Sequence, residues 1–132
     1  MSQTPPLDDR GLPPGYRFDE QREVTPRDVK ARLDAGQQPG KDFLLVDCRR
    51  QDEWDITHIE GARLIPLQEL PDYFDDELAG HEEKDVIVYC RSGRRSLEFV
   101  DSLRREGFAR ARSMAGGMLL WNSDINPGGP QY

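Results

Sequence analysis

Two short apolar runs, FLLVD at 43–47 and DVIVYC at 85–90, constrain this chain most. Continuous apolar runs of that length, too short for a core helix, are the mark of strands covered on both faces. The second run is rich in β-branched residues, which favour the pleated backbone. A sheet covered on both faces needs helices on both sides, and the segments between the runs supply them. Thr25 is suited to cap a helix that begins at Pro26, carries Asp28 in its first turn, turns Val29 and Leu33 inward and stops at Gly36. RQDEWDI at 50–56 reads as a short helical turn, ARLIPL at 62–67 as a strand stopped by Pro66, and PDYFDDELAG at 71–80 as a helix with Tyr73, Phe74 and Leu78 inward. SLEFVDSLRREGF sets Phe99, Val100 and Leu103 on one helical face and ends at Gly107. ARARSM at 109–114 and GGMLLWNSD at 116–124 add a last strand and a last helix. This alternation predicts an α/β domain with a mainly parallel sheet and helices on both faces.

Boundaries follow from the breakers. Pro5, Pro6, Pro13 and Pro14 with their neighbouring glycines make residues 1–20 read as a flexible N-terminal arm. Residues 21–127 then form one domain, and 128–132 a short C-terminal tail.

A formal charge of −7 argues against a nonspecific polyanion-binding surface, so no nucleic-acid partner is expected. No apolar run approaches the roughly 20 residues of a membrane helix, and the proline-rich start lacks the apolar core of a signal peptide. The expected location is therefore the cytoplasm, with no membrane partner. Two cysteines make neither a disulfide framework nor a Cys-rich zinc site, and His58 and His81 have no ligand-like spacing to them.

Within this acidic chain, Arg91, Arg94 and Arg95 crowd around Ser92 and Gly93 directly after Cys90. Ligands of parallel α/β sheets bind beyond the carboxyl ends of the strands, and Cys90 stands at such an end. A tight loop between strand and helix aims backbone N–H groups at an anion, and Gly93 lets it curl. The anion here can be the cysteine itself: a thiol of ordinary pKa near 8.5 becomes a thiolate at neutral pH beside helix N-terminal amides and arginines. A cysteine that ends a buried strand is often packing alone. The run CRSGRR, set between a β-branched strand and an amphipathic helix, turns the expectation towards a nucleophile beside an anion site.

Three segments at this point resemble one family. LLVDCRRQDEWDITHIEGARLIPL is similar to the first signature of single-domain rhodaneses, the sulfurtransferase family, with its Asp-x-Arg strand end and His-Ile-x-Gly-Ala run. VIVYCRSGRRS resembles the active-site segment, and MAGGMLLWNSDINP the closing Gly-Gly-x-x-x-Trp helix. The resemblance covers about residues 22–126. It implies a five-stranded, mainly parallel sheet and a persulfide on Cys90. The sulfur would come from a small anionic donor such as thiosulfate and pass to cyanide, a thiol, or a protein sulfur acceptor or carrier. It implies no metal and no organic cofactor.

The resemblance also assigns roles. The loop amides of Arg91, Ser92, Gly93, Arg94 and Arg95 stabilise thiolate and persulfide; Arg91 and Arg94 contact the donor, and Arg95 either does the same or braces the loop. Asp47 and Arg49 match the Asp-x-Arg pair, with Asp47 expected near the active-site mouth, bonding a loop arginine, and Arg49 in a supporting ion pair. Whether that pair only steadies the strand end or joins the chemistry stays open. His58 matches a structural position. Thr57 stands where glycine is frequent, a departure that bears on the local turn. Trp54 and Trp121 are expected in the core. On a strand Cys48 points opposite to Asp47, so it is expected to be buried and inert; a disulfide with Cys90 is disfavoured because the alternation points Cys48 away from the site.

Other chemistries use the same fold. Phosphatases and arsenate reductases of this shape resemble a cysteine followed by five residues and then arginine, usually with histidine before the cysteine. Here Ser96 stands six after Cys90, Tyr89 precedes it, and the loop closes with Arg95, one residue earlier. A non-catalytic rhodanese-like binding or regulatory module is the other rival, although such modules often lack the cysteine. The segment 47–67 also resembles rhodanese domains fused to enzymes that activate small sulfur carrier proteins.

Overall fold

The run Val86–Tyr89 lies in the middle of the sheet, and both of its neighbours were legible as apolar or alternating segments. The computed structural model describes residues 6–70 and 78–132. Its strands are β1 (Glu23–Val24), β2 (Leu44–Asp47), β3 (Arg63–Leu64), β4 (Val86–Tyr89) and β5 (Ala111–Met114). They form one five-stranded sheet in the order β1-β5-β4-β2-β3, with every neighbouring pair parallel. The helices are α1 (Pro26–Asp34), α2 (Gln51–Ile56), α3 (Arg94–Arg105) and α4 (Gly117–Asp124), with a 3-10 turn at Leu67–Glu69. The α/β reading is met. The helix expected over 71–80 lies largely outside the described residues.

Side-chain alternation sorts the core into two halves. Leu44, Val46 and Cys48 of β2 and its end join Val86, Val88 and Cys90 under α3, which contributes Phe99, Val100 and Leu103. On the other face Phe43, Leu45, Ile87 and Tyr89 meet Val29 of α1 and Met118 and Trp121 of α4. Each fully buried Val, Leu or Phe side chain stabilises by about 1.5–3 kcal/mol. For helices this short, packing of that size outweighs intrinsic propensity. The capping box of α1 is present, with Thr25 Oγ accepting the Asp28 amide (3.1 Å) and Asp28 accepting the Thr25 amide (2.9 Å).

Two features depart from the sequence reading. Glu23–Val24 forms β1, an edge strand pairing Glu23 with Ser113 and Val24 with Met114, which the residue pattern did not mark. The proline-rich start is also not a loose arm where it is described. Leu12 is buried with Ala115 and Leu120, and Leu7, Tyr16 and Phe18 pack against them. The Tyr16 hydroxyl donates to Glu23 Oε2 (2.6 Å) and accepts the Gly116 amide (3.2 Å), tying this segment to β1 and to the start of α4.

Candidate active site

Cys90 follows the last residue of the central strand and is 1% exposed. The chain then turns through Gly93, whose φ of 102° suits glycine, and enters α3 at Arg94. The Gly93 amide donates to Cys90 Sγ at 3.1 Å and the Ser96 amide at 3.4 Å. Both belong to the N-terminal end of α3, whose first amides have no helical acceptor. The sulfur therefore caps the helix. The Ser96 hydroxyl also lies 3.4 Å from Sγ and shares a 2.7 Å hydrogen bond with Ser113 Oγ, so it is oriented between a neighbour and the thiol.

The loop is held open to its amides by α4. Met118 N–H donates to the Cys90 carbonyl (2.9 Å) and Leu119 N–H to the Arg91 carbonyl (3.1 Å). Two loop carbonyls are thus bonded to a helix N-terminus instead of facing the sulfur. Gly117 makes the approach possible: a Cβ there would meet the Cys90 oxygen at 2.4 Å and the Arg91 oxygen at 2.5 Å. At Gly117 the contact is between backbones.

Cys48 was expected to face away from the site, and it does not. The register pairs Val46 with Val88 and Asp47 with Tyr89, so the next rung sets Cys48 beside Cys90. Both point to the α3 face and share one core cluster. The error lay in placing the site on the Asp47 face; Cys90 lies on the opposite one. The Cys48 thiol beside it is the first cause that lowers the Cys90 thiol to about 5, against the opposing effect of burial. The Ser96 hydroxyl and the Ser96 and Gly93 amides add to it. Cys48 shifts the other way, well above the usual thiol range, because it holds the shared proton and is buried. At neutral pH the pair is one thiolate and one thiol.

Asp47 is not at the mouth and bonds no loop arginine. It lies on the Tyr89 face, wholly buried with Arg49. Arg49 Nε reaches both carboxylate oxygens (2.9 and 3.1 Å), Nη2 reaches Oδ2 (2.6 Å), and the Arg49 amide adds a fourth bond (3.0 Å). Nη2 also donates to the Thr57 carbonyl (2.6 Å), and Nη1 donates to the Tyr132 hydroxyl. Thr57 has φ −168°, extended backbone open to any residue, so its side chain imposes no strain.

The three loop arginines separate. Arg95 forms a two-bond pair with Glu53 of α2 (2.7 and 2.9 Å), and the guanidinium holds the buried Glu53 carboxyl at about 2. Of the two alternatives for Arg95, bracing is what this geometry supports. Arg91 is exposed; its Nε donates to the Tyr132 carbonyl (2.6 Å), and its guanidinium lies over the Tyr132 ring. Arg94 is exposed and makes no ion pair with the described residues, and Ser92 is exposed beside it. His58 bonds the Trp54 carbonyl (2.9 Å) and stacks on the Trp54 ring at 3.7 Å. Trp54 is half-buried rather than in the expected core, whereas Trp121 is buried.

Sequence reasoning missed Ser96, Glu53, Tyr132 and the use of Cys48. Ser96 had a visible signal, since it follows CRSGRR on the third residue of α3, where amides are free. Glu53 and Tyr132 are joined to the loop only by the fold.

With that geometry in place, comparison with known proteins is decisive. Residues 25–124 match the rhodanese-like domain. The chain belongs to the rhodanese-like domain family. It is 32% identical over 113 residues to the probable adenylyltransferase/sulfurtransferase MoeZ of Mycobacterium tuberculosis, covering 79% of this chain and 25% of that protein. It is 30% identical over 131 residues to the adenylyltransferase and sulfurtransferase MOCS3-1 of Zea mays, covering 96% of this chain and 27% of that one. The chain thus spans about a quarter of the length of these relatives. Among solved structures, the rhodanese-like domain of an Anabaena protein superposes with a TM-score of 0.67 at 28% identity, covering 82% of this chain and 76% of that one. This rhodanese-like domain therefore has sulfurtransferase relatives. No helix among its described residues is long and apolar enough to cross a membrane.

Proposed function

We propose that this rhodanese-like domain is a sulfurtransferase that carries sulfane sulfur as a persulfide on Cys90. The supporting observation is a thiol set at about 5 by hydrogen-bond donors, without a full positive charge bonded to it. In the reaction with thiosulfate, the Cys90 thiolate attacks the outer sulfur of the donor. A bond forms from Sγ to that sulfur, the donor's S–S bond breaks, and sulfite leaves with the electron pair. The Cys90 persulfide keeps one negative charge, which preorganised amides stabilise without rearranging. A thiolate, cyanide or a protein acceptor then takes the terminal sulfur, and Sγ leaves as the thiolate.

Arg94, exposed and without an ion pair among the described residues, is suited to meet an anionic donor. Arg91 does the same once it leaves Tyr132. Arg95 positions the loop through Glu53, and the Asp47–Arg49 pair supports the strand end. The relatives named as adenylyltransferase and sulfurtransferase support a protein sulfur carrier as acceptor. Two free, buried cysteines suit a reducing compartment, in keeping with a cytoplasmic location. Sulfur is favoured over phosphate ester because the position six after Cys90 holds Ser96, buried and bonded to the sulfur, and not an arginine facing solvent.

The test is intact-mass measurement on samples acid-quenched from the first seconds of thiosulfate treatment onward, before any later loss of the sulfur. Wild type gains the mass of one sulfur, removable by cyanide, and Cys90→Ser gains none. Equal gain in both proteins, or no gain in wild type, overturns the proposal.

A further inference from the structure

Cys48 has no part in the reaction just described, yet it occupies the rung of β2 next to Cys90. Adjacent strands lie about 4.8 Å apart. That spacing falls within the roughly 4.4–6.8 Å between Cα atoms that a disulfide spans. The Cys48 amide donates to the Tyr89 carbonyl at 3.0 Å, so the parallel pairing continues to this rung. Both side chains leave the sheet on the α3 side and are buried in one core cluster. The sulfur of Cys90 thus has loop and helix amides on one element and a second sulfur on another.

We propose that Cys48 is the resolving thiol of Cys90. Once Cys90 Sγ carries a sulfur leaving group, Cys48 attacks Sγ and closes a Cys48–Cys90 disulfide. For the persulfide, an S–S bond forms between the two cysteines and the bond to the outer sulfur breaks. The outer sulfur leaves with its electron pair, takes the Cys48 proton and departs as hydrosulfide. The sulfane sulfur is reduced to sulfide and the two cysteine sulfurs are oxidised to the disulfide. An external dithiol returns the pair to its starting state. This step adds a sulfide-releasing activity to sulfur transfer, and in the persulfide case it rests on the reading of Cys90 given above.

The same contact explains why the pair waits. While Cys90 is a thiolate, Cys48 gives its S–H to that charge and is held protonated. When Cys90 Sγ is bonded to a second sulfur, it no longer presents that charge, and the hold on the Cys48 proton is released. A thiol attacks faster as its thiolate fraction rises.

Two arms test the proposal and separate it from the reading of Cys90. In the first, anaerobic protein is treated with methyl methanethiosulfonate, which places a methylthio group on Cys90 and releases methanesulfinate whatever the natural donor is. Wild type then loses methanethiol, and its mass falls to that of the reduced protein less two hydrogens. Cys48→Ser and Cys48→Ala keep the methylthio group. Two variants guard against a folding defect in one. Wild type that retains the methylthio group for as long as the variants overturns the proposal. In the second arm, thiosulfate-loaded wild type releases one equivalent of sulfide without added thiol, and both variants release it at least ten-fold more slowly. If methylthio is expelled but thiosulfate loads no protein, the reading of Cys90 as a thiosulfate-fed carrier fails and the resolving role stands. If sulfur loads but sulfide leaves wild type and variants equally fast, the resolving role fails and the carrier stands.

Discussion

Two buried anions sit on adjacent strands of this sheet, one on each face, and they are treated in opposite ways. Asp47 is given a whole guanidinium, several hydrogen bonds and no exposure. Cys90 is given amide and hydroxyl partners with a second thiol alongside, and Arg95 of its loop is turned to Glu53. A bidentate cation fixes a charge in place. Dipoles lower a thiol's pKa while leaving the sulfur's electron pair unclaimed by an opposing charge. The protein steadies the first anion and keeps the second reactive.

The sharpest way to break that comparison is to remove the cation from Asp47. Arg49→Met leaves a buried carboxylate without its partner, and the expected loss is about 3–5 kcal/mol in urea unfolding at neutral pH. Asp47→Asn combined with Arg49→Met should recover part of it. A single variant as stable as wild type would show that the pair is not structural.

The next effect lies at the thiolate. Ser96→Ala deletes the hydroxyl and keeps the amide. The midpoint of the alkylation rate against pH should then rise from about 5 by about one unit, the scale of one hydrogen bond to a charged group. In wild type the folded thiol is depressed below its unfolded value near 9. The folded state therefore binds fewer protons across that window, so this contribution is full above about 9 and is lost as pH falls through about 5. A midpoint unmoved in Ser96→Ala would remove the hydroxyl from the set of stabilising donors.

The smallest effect belongs to the surface. Arg94→Ala should raise KM for thiosulfate about two- to five-fold, the worth of one exposed charge, and change stability by less than about 0.5 kcal/mol. Unchanged kinetics would free Arg94 from donor binding.

The order of elements was legible because burial on both faces leaves apolar runs, and because helix ends need residues such as Thr25, Pro26 and Gly107. β1 was not, since Glu23–Val24 is too short to show a period and pairs only through β5. In the site, Cys90 and its loop were readable as local chemistry. Cys48 was misread for a reason that alternation itself supplies: residues 47 and 48 face opposite ways, but the sequence does not say which face Cys90 shares. Register settles that, and register is a property of two strands. The Arg95–Glu53 pair is long-range and left no local sign.

The link between α4 and the Cys90 loop has a consequence for the order of events during synthesis. The carbonyls of Cys90 and Arg91 acquire their shape from the amides of Met118 and Leu119. Until residues 117–124 have left the ribosome and docked, the nucleophile's loop lacks the clamp that turns those carbonyls aside. The loop around the thiol is thus completed late, by the last helix of the domain.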